Sequence, residues 1–142
     1  MSIKFINLLV FLKNCGIIYV YTECHRHGKE SVMADIMKNI NKSEVLKLRD
    51  EVTYQDGQIV SKTLVQNQSV SITLFAFSKG EEISTHESGG DALVSCLDGK
   101  GKITIDGVEY FLEEGDAIVM PAKHPHAVYG EENFKMLLTV IF

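Results

Sequence analysis

Two histidines far apart in the sequence are the residues best placed to do chemistry in this chain. His86 follows Gly80 after five intervening residues, and His126 closes the pattern Gly115-x5-Pro121-x4-His126. Near neutral pH an imidazole can donate or accept a hydrogen bond, act as a base or bind a divalent metal ion. A shared site requires a fold that brings the two rings together.

The segments that carry these histidines have the two-residue period of β-strands. Lys102–Ile105 alternates polar and apolar side chains, and the following Asp106-Gly107 is a strong hairpin signal. About nine short strands without a long helix indicate a β-sandwich or barrel. The strands expected are Val52–Tyr54, Gln58–Val65, Ser71–Phe77, Ala92–Leu97, Lys102–Ile105, Val108–Leu112, Ala117–Met120, His126–Tyr129 and Phe134–Phe142.

The chain divides into three parts. Residues 51–142 form one domain, and residues 33–50 form a lead-in arm with a short strand expected around Ser43–Leu48. Residues 1–32 are interpreted as a non-native or disordered extension. The codons of Lys29 and Glu30 can spell a ribosome-binding sequence just before Met33, which we expect to be the true start. The apolar run in this extension is interrupted by Lys13, which disfavours a membrane span.

Composition excludes several classes of partner. A formal net charge of −5 and a pI near 5.5 argue against nucleic acid and anionic membranes as partners. Three cysteines, an odd number, do not suggest a disulfide framework. A reducing compartment follows, and we expect a cytoplasmic protein.

The spacing of glycines, proline and histidines resembles the two motifs of the cupin superfamily, small jelly-roll barrels. The first family motif is Gly-x5-His-x-His-x3-Glu-x6-Gly and the second is Gly-x5-Pro-x-Gly-x2-His-x3-Asn. The matching residues are Gly80, His86, Gly99, Gly115, Pro121 and His126. The resemblance covers roughly residues 55–142. It implies an all-β double-stranded β-helix (a jelly-roll cupin barrel) of the small single-domain cupin 2 type, with a short N-terminal arm.

The metal-binding motifs are degenerate. The family's usual ligands are His, His, Glu and His, but Ser88 and Ala92 stand at the second and third positions. His86 and His126 remain. Asp91 would complete a two-histidine, one-carboxylate set if a bulge at Gly89-Gly90 turned it inward. The resemblance then implies an optional divalent metal, which would be iron, manganese, nickel or zinc.

Four further residues are candidates of lower rank. Ser88 would add a hydroxyl to the ligand site. Cys96 shares strand parity with the inner wall and is a candidate ligand contact, although packing is the favoured role. Glu87 should face away from the pocket, next to His86 in the strand. His124 lies in the loop between two prolines and is interpreted as solvated.

Three functions stay open at this stage. The favoured one is a binding protein that holds a small polar or anionic molecule, such as a sugar or a carboxylate, in its barrel. The second is a metal-dependent cupin enzyme of the oxygenase, isomerase or decarboxylase type. The third is a structural or regulatory dimerisation domain. A homodimer is expected, with residues 44–54 able to cross to a partner.

Overall fold

The structure is a computed structural model that describes residues 35–142, and these residues form seven strands and one short 3-10 helix. The strands are β1 (Ile59–Gln66), β2 (Val70–Phe77), β3 (Glu82–His86), β4 (Asp91–Ile105), β5 (Val108–Glu113), β6 (Ala117–Met120) and β7 (His126–Ile141). The helix is Leu48–Asp50. The predicted all-β class is confirmed. The predicted extension, residues 1–32, lies outside the described residues.

Two long strands, β4 and β7, organise the barrel. They pair with each other in antiparallel register and bear most of the other strands along their lengths. The sheet order is β1-β2-β7-β4-β5, with β3 also on β7 and β6 also on β4. The first half of β7 therefore lies beside β3, and its second half lies beside β2. This arrangement is the jelly roll that the sequence motifs imply.

The nine predicted strands become seven because β4 and β7 each contain two predicted strands, Val52–Tyr54 is not formed, and β3 was not predicted. Between the halves of β4 the register shifts twice, at Cys96/Asp98 and at Gly99/Gly101. Gly99 has φ 74°, and a Cβ there would lie 1.7 Å from the carbonyl oxygen of Asn133. Such bulges bend a strand without ending it, so β4 pairs with β6 along its first half and with β5 along its second half.

The main core lies inside the barrel and comes from alternate residues of the strands. Its most buried large side chains include Phe77 and Phe134, whose ring centroids are 5.7 Å apart. The other buried members are Ala92, Val94, Cys96, Ile103, Ile105, Leu112, Met120, Val128 and Met136. Because side chains alternate between the two faces of a strand, each strand presents these residues to the inside and its intervening residues to the outside.

A second core lies on the outer face of β1 and β2. The lead-in arm covers it together with residues 51–54, and this longer segment is here called the arm. Val52 is buried there with Leu64 and Leu74, and Leu48 packs against them. The Tyr54 hydroxyl donates to Asp98 Oδ2 at 2.7 Å and ties the arm to β4. The strands expected at Ser43–Leu48 and Val52–Tyr54 are not formed, since these segments pack through side chains instead of a backbone ladder.

In residues 35–142 no helix has the length and apolar character needed to cross a membrane.

Candidate functional site

The two histidines are cross-strand neighbours. His86 is the last residue of β3 and His126 is the first of β7, and their Cα atoms pair directly across the ladder. Their ring centroids are 4.5 Å apart, with an angle of 67° between the ring planes. In an edge-to-face pair of this kind, the edge of one ring lies against the face of the other. The structure therefore places both predicted site residues together.

Each imidazole is held by a backbone carbonyl two residues earlier. His86 Nδ1 lies 2.8 Å from the carbonyl oxygen of Ser84, and His126 Nδ1 lies 2.8 Å from that of His124. A carbonyl oxygen can only accept, so Nδ1 carries the proton in both rings. In the neutral imidazole Nε2 is then an unprotonated acceptor with its lone pair available. The strand backbone thus sets the chemical character of both side chains.

The two histidines differ in depth. His126 is 2% exposed and is the largest fully buried polar side chain, whereas His86 is exposed. Among residues 35–142, no buried side-chain nitrogen or oxygen lacks a hydrogen-bond partner. The pair therefore connects the interior of the barrel with solvent, with His126 at the inner end.

A cavity of about 190 Å³ opens beside this pair. Most of its wall is apolar and comes from inward-facing positions of β3, β4, β6 and β7. The apolar lining residues are Ile83, Ala92, Met120, Val128, Met136, Leu138 and Val140. A cavity with apolar walls and a few convergent polar groups is typical of a small-molecule site.

Ser88 and Glu87 complete the polar part of the cavity wall. Ser88 Oγ accepts a hydrogen bond from the Gly90 backbone N–H at 3.3 Å, which leaves the hydroxyl proton available. Glu87 was predicted to face away, and this prediction was wrong. Strand β3 ends at His86, so the alternation that would turn Glu87 outward does not extend to it. The sequence signal for this strand end is Gly89-Gly90, just downstream.

Asp91 does not join the histidines, which corrects its prediction as a metal ligand. It is exposed, and its Oδ1 accepts a hydrogen bond from the Ala122 backbone N–H at 2.9 Å. The pairing of Asp91 with Ile141 and of Ala92 with Val140 is regular. Without a bulge at this point, Ala92 faces the cavity and Asp91 must face the other way.

Cys96 is also absent from the cavity wall, so its prediction as a ligand contact is corrected. It is 3% exposed within the main core, and its Sγ lies 3.7 Å from the carbonyl oxygen of Asp98. Burial raises the pKa of the Cys96 thiol to about 11. The thiol is therefore neutral at physiological pH and packs as a small apolar group.

His124 is exposed and lies outside the cavity lining. Its Nδ1 is 2.7 Å from Asp106 Oδ2, at the turn between β4 and β5. The same turn also binds the loop backbone: the Asp106 backbone N–H donates a hydrogen bond to the carbonyl oxygen of Pro125 at 3.0 Å. The loop before His126 is thus fixed to the β4–β5 turn at two points.

The residues present do not fit a resident metal ion. Within residues 35–142 no group of three or more His, Cys, Asp or Glu side chains is arranged to hold one. Ala92 and Ser88, which stand where the family has ligands, both line the cavity. Two nitrogen ligands fall short of the three protein ligands usual in catalytic metal sites. The metal expected from the family resemblance therefore lacks a ligand set here.

Comparison with known proteins agrees with the fold. The family model described as Cupin domain matches residues 73–142. A conserved protein of unknown function from Streptococcus pyogenes is 47% identical, with a TM-score of 0.74 over 78% of this chain and 96% of that one. No curated protein matches the sequence.

Two further structures define the breadth of the similarity. A cupin superfamily protein from Desulfitobacterium hafniense is 34% identical, with a TM-score of 0.72 over 75% of this chain and 97% of that one. A salicylate 1,2-dioxygenase from Pseudoaminobacter salicylatoxidans shares the fold alone. It is 19% identical, with a TM-score of 0.56 over 66% of this chain and 28% of that one. The chain belongs to the cupin superfamily.

Proposed function

We propose that this protein binds a small molecule in the barrel cavity and holds its polar end with His86 and His126. The observation that carries the proposal is the pairing of the two rings at 4.5 Å beside a cavity of about 190 Å³. Both rings keep Nε2 available because Nδ1 is bonded to a backbone carbonyl. Such a pair offers two oriented hydrogen-bonding groups to one ligand.

Preorganisation supports a binding role. The carbonyl oxygens of Ser84 and His124 hold the imidazoles before any ligand arrives. Side chains that are already ordered lose little conformational entropy on binding, and this strengthens affinity for a given contact area. The apolar walls add a hydrophobic contribution of about 25 cal/mol for each Å² of apolar surface that the ligand buries.

The metal-dependent enzyme is the weaker candidate. An iron, manganese, nickel or zinc ion on the two Nε2 atoms would have only two protein ligands, because Asp91 is bonded to Ala122 instead. A site with so few ligands would hold a metal weakly and keep it only at high concentration. Metal binding is therefore the alternative to direct ligand binding by the two histidines.

We also propose a homodimer, formed by an outer surface of the large sheet. Leu93, Val119 and Ile141 are apolar and exposed on β4, β6 and β7. The arm residues Leu48, Val52 and Tyr54 pack on the sheet of their own chain, so we do not place them in the dimer interface. Light scattering of wild type and Leu93→Glu tests this surface.

A cytoplasmic location stays a prediction from the cysteine count.

A panel of small alcohols, phenols, sugars, amines and carboxylates tests the binding function, with thermal unfolding and calorimetry as readouts. A ligand present at 100 times its dissociation constant should stabilise the protein by about 2.7 kcal/mol. His126→Phe should abolish the effect, and Tyr110→Phe is the control because Tyr110 is exposed on β5 and lies outside the cavity. Stabilisation that survives in His126→Phe would place the ligand elsewhere.

A further inference from the structure

The geometry points to a specific class of ligand: a small molecule with one or two hydroxyl groups on an apolar body, bound without a metal ion. This inference rests on the proposed binding function and adds the chemistry of the ligand. It places hydroxyl groups, as in an alcohol, a phenol or a diol, against the Nε2 atoms of His86 and His126. It predicts that carboxylates bind worse.

The direction of the hydrogen bonds at the two histidines limits the chemistry of the ligand. Nδ1–H of each ring is already committed to a carbonyl oxygen, at 2.8 Å in both cases. The neutral rings therefore offer two acceptors and no donor to the cavity. A ligand that satisfies both must bring donors, and a carboxylate brings only acceptors.

Ser88 and Glu87 are the other polar groups of the cavity wall. Ser88 Oγ accepts from the Gly90 N–H, so its own O–H can donate to a ligand oxygen. A hydroxyl group can donate to an imidazole and accept from Ser88 at once, whereas an ammonium group cannot accept. Glu87 adds a carboxylate to the same wall and repels an anionic ligand.

The apolar part of the cavity limits the size and polarity of the rest of the ligand. Beyond the histidines the wall is apolar, with Met120, Met136 and Leu138 among the lining residues. The cavity of about 190 Å³ corresponds to roughly six water molecules at about 30 Å³ each. A ligand of this size is a short-chain diol or a single-ring phenol. A sugar would place hydroxyl groups against these apolar walls, where they would find no partner.

The orientation of the two rings alone does not distinguish this site from a metal site. A ring whose Nδ1–H is bonded to a carbonyl also suits metal coordination through Nε2. The number of ligands decides between the two. Ala92 contributes a methyl group and Ser88 a neutral hydroxyl. Glu87 lines the same wall, but it does not form with the two histidines a group that could hold a metal ion. Two adjacent acceptors without a metal remain, and they require donors.

Four ring compounds of similar size test the inference by calorimetry on the full chain with excess EDTA. They are benzene-1,2-diol, 1,2-dimethoxybenzene, benzoate and benzylamine. We expect benzene-1,2-diol to bind at least tenfold more tightly than each of the other three. The dimethoxy compound keeps the shape but has no donor, benzoate has only acceptors, and benzylamine has donors but no acceptor.

Substitutions then locate the binding site. His86→Phe and Ser88→Ala should each weaken binding of the diol about tenfold or more, and Tyr110→Phe, at an exposed position outside the cavity, should not. His86 is exposed, so its replacement should leave folding intact even if His126→Phe does not fold. Unchanged affinity in His86→Phe and Ser88→Ala would overturn the inference.

The remaining outcomes separate the inference from the proposed function. If benzoate or benzylamine binds best at the histidines, the hydroxyl inference fails and the binding function stands. If EDTA abolishes diol binding and zinc or iron restores it, the metal-free inference fails. If none of the four compounds binds and the broader panel also gives no ligand, both proposals fail.

Discussion

The carbonyl oxygen of His124 accepts a hydrogen bond from Nδ1 of His126, two residues further along the chain, at 2.8 Å. One loop residue thus sets the tautomer of the buried histidine. The His124 side chain is in turn bonded to Asp106 at 2.7 Å. Orientation of the cavity imidazole therefore depends on a contact that lies outside the cavity.

Asp106→Asn should weaken ligand binding modestly and leave the fold intact. Asp106 and His124 are both about half exposed, and the net contribution of one such hydrogen bond is about 0.5–1.5 kcal/mol. Loss of the pair would let the loop before His126 move, with an expected drop in affinity of about two- to fivefold. Asparagine tolerates the positive φ of 51° at this turn.

The matched control for this loop contact is Glu109→Gln, which removes the surface pair of Glu109 with Lys102. Calorimetry with the ligand found for the wild type provides the comparison. Equal affinities in Asp106→Asn and Glu109→Gln would show that the loop contact does not position His126.

Tyr54→Phe should destabilise the protein by about 1.5–3 kcal/mol, the range for a hydrogen bond to a charged group. The substitution removes the 2.7 Å bond to Asp98 but keeps the ring, over which the Lys135 ammonium lies 4.7 Å from the centroid. The arm would lose its polar attachment to β4. Urea unfolding measures the change.

Tyr110→Phe is the control for the arm contact, because Tyr110 is exposed and its hydroxyl makes no hydrogen bond to another described residue. We expect its free energy of unfolding to stay within about 0.5 kcal/mol of wild type. Similar losses in both variants would contradict the role given to the Tyr54–Asp98 bond.

Gly101→Ala should destabilise the barrel strongly. A Cβ at Gly101 would lie 2.4 Å from the ring of Phe134, which is fully buried. Overpacking of a core typically costs about 1–3 kcal/mol. Gly89→Ala is the control, since nothing lies within 4 Å of the added carbon. If thermal melting shows equal midpoints for the two variants, the packing described around Phe134 is incorrect.

Alkaline pH should destabilise the fold and expose Cys96. Burial, the largest cause, raises the pKa of its thiol from 9.0 to about 11, and burial also raises the pKa of Tyr54. Because the folded state holds these protons more tightly, the stabilisation is fully present below pH 9.0 and is lost towards pH 11.

Thiol labelling at pH 8 measures the protection of Cys96 in a Cys15→Ser, Cys24→Ser background. The native protein should react far more slowly than protein unfolded in urea, because the buried thiol is neutral and inaccessible. Fast labelling of the native state would contradict the burial of Cys96. A stability that does not fall between pH 9 and pH 11 would contradict the raised pKa values.

Local sequence signals predicted the parts of the fold that depend on local geometry. Asp106-Gly107 forms the β4–β5 hairpin with φ values of 51° and 81°, as its turn chemistry predicts. The strand count failed because a bulge within a strand and a turn between strands carry similar glycine signals. Gly99 and Gly101 belong to the first kind.

The candidate site was predicted in part, and its errors at Asp91 and Glu87 have one physical cause. Strand parity predicts a side chain's direction only while the strand continues. It continues through Asp91, which therefore faces outward, and it stops before Glu87, which reaches the cavity. The hydrogen bonds from Nδ1 of the two histidines to backbone carbonyls have no sequence signal, because they depend on local backbone and ring orientation.

Nitrogen NMR of the histidine rings tests the central claim most directly. Long-range proton–nitrogen spectra of the full chain in EDTA report which ring nitrogen carries the proton, with rings assigned by substitution. We predict Nδ1–H tautomers for His86 and His126, and on titration with benzene-1,2-diol we predict that both Nε2 signals move while His124 does not. Protonated Nε2 atoms in the neutral rings, or a response from only one of the two histidines, would contradict the account.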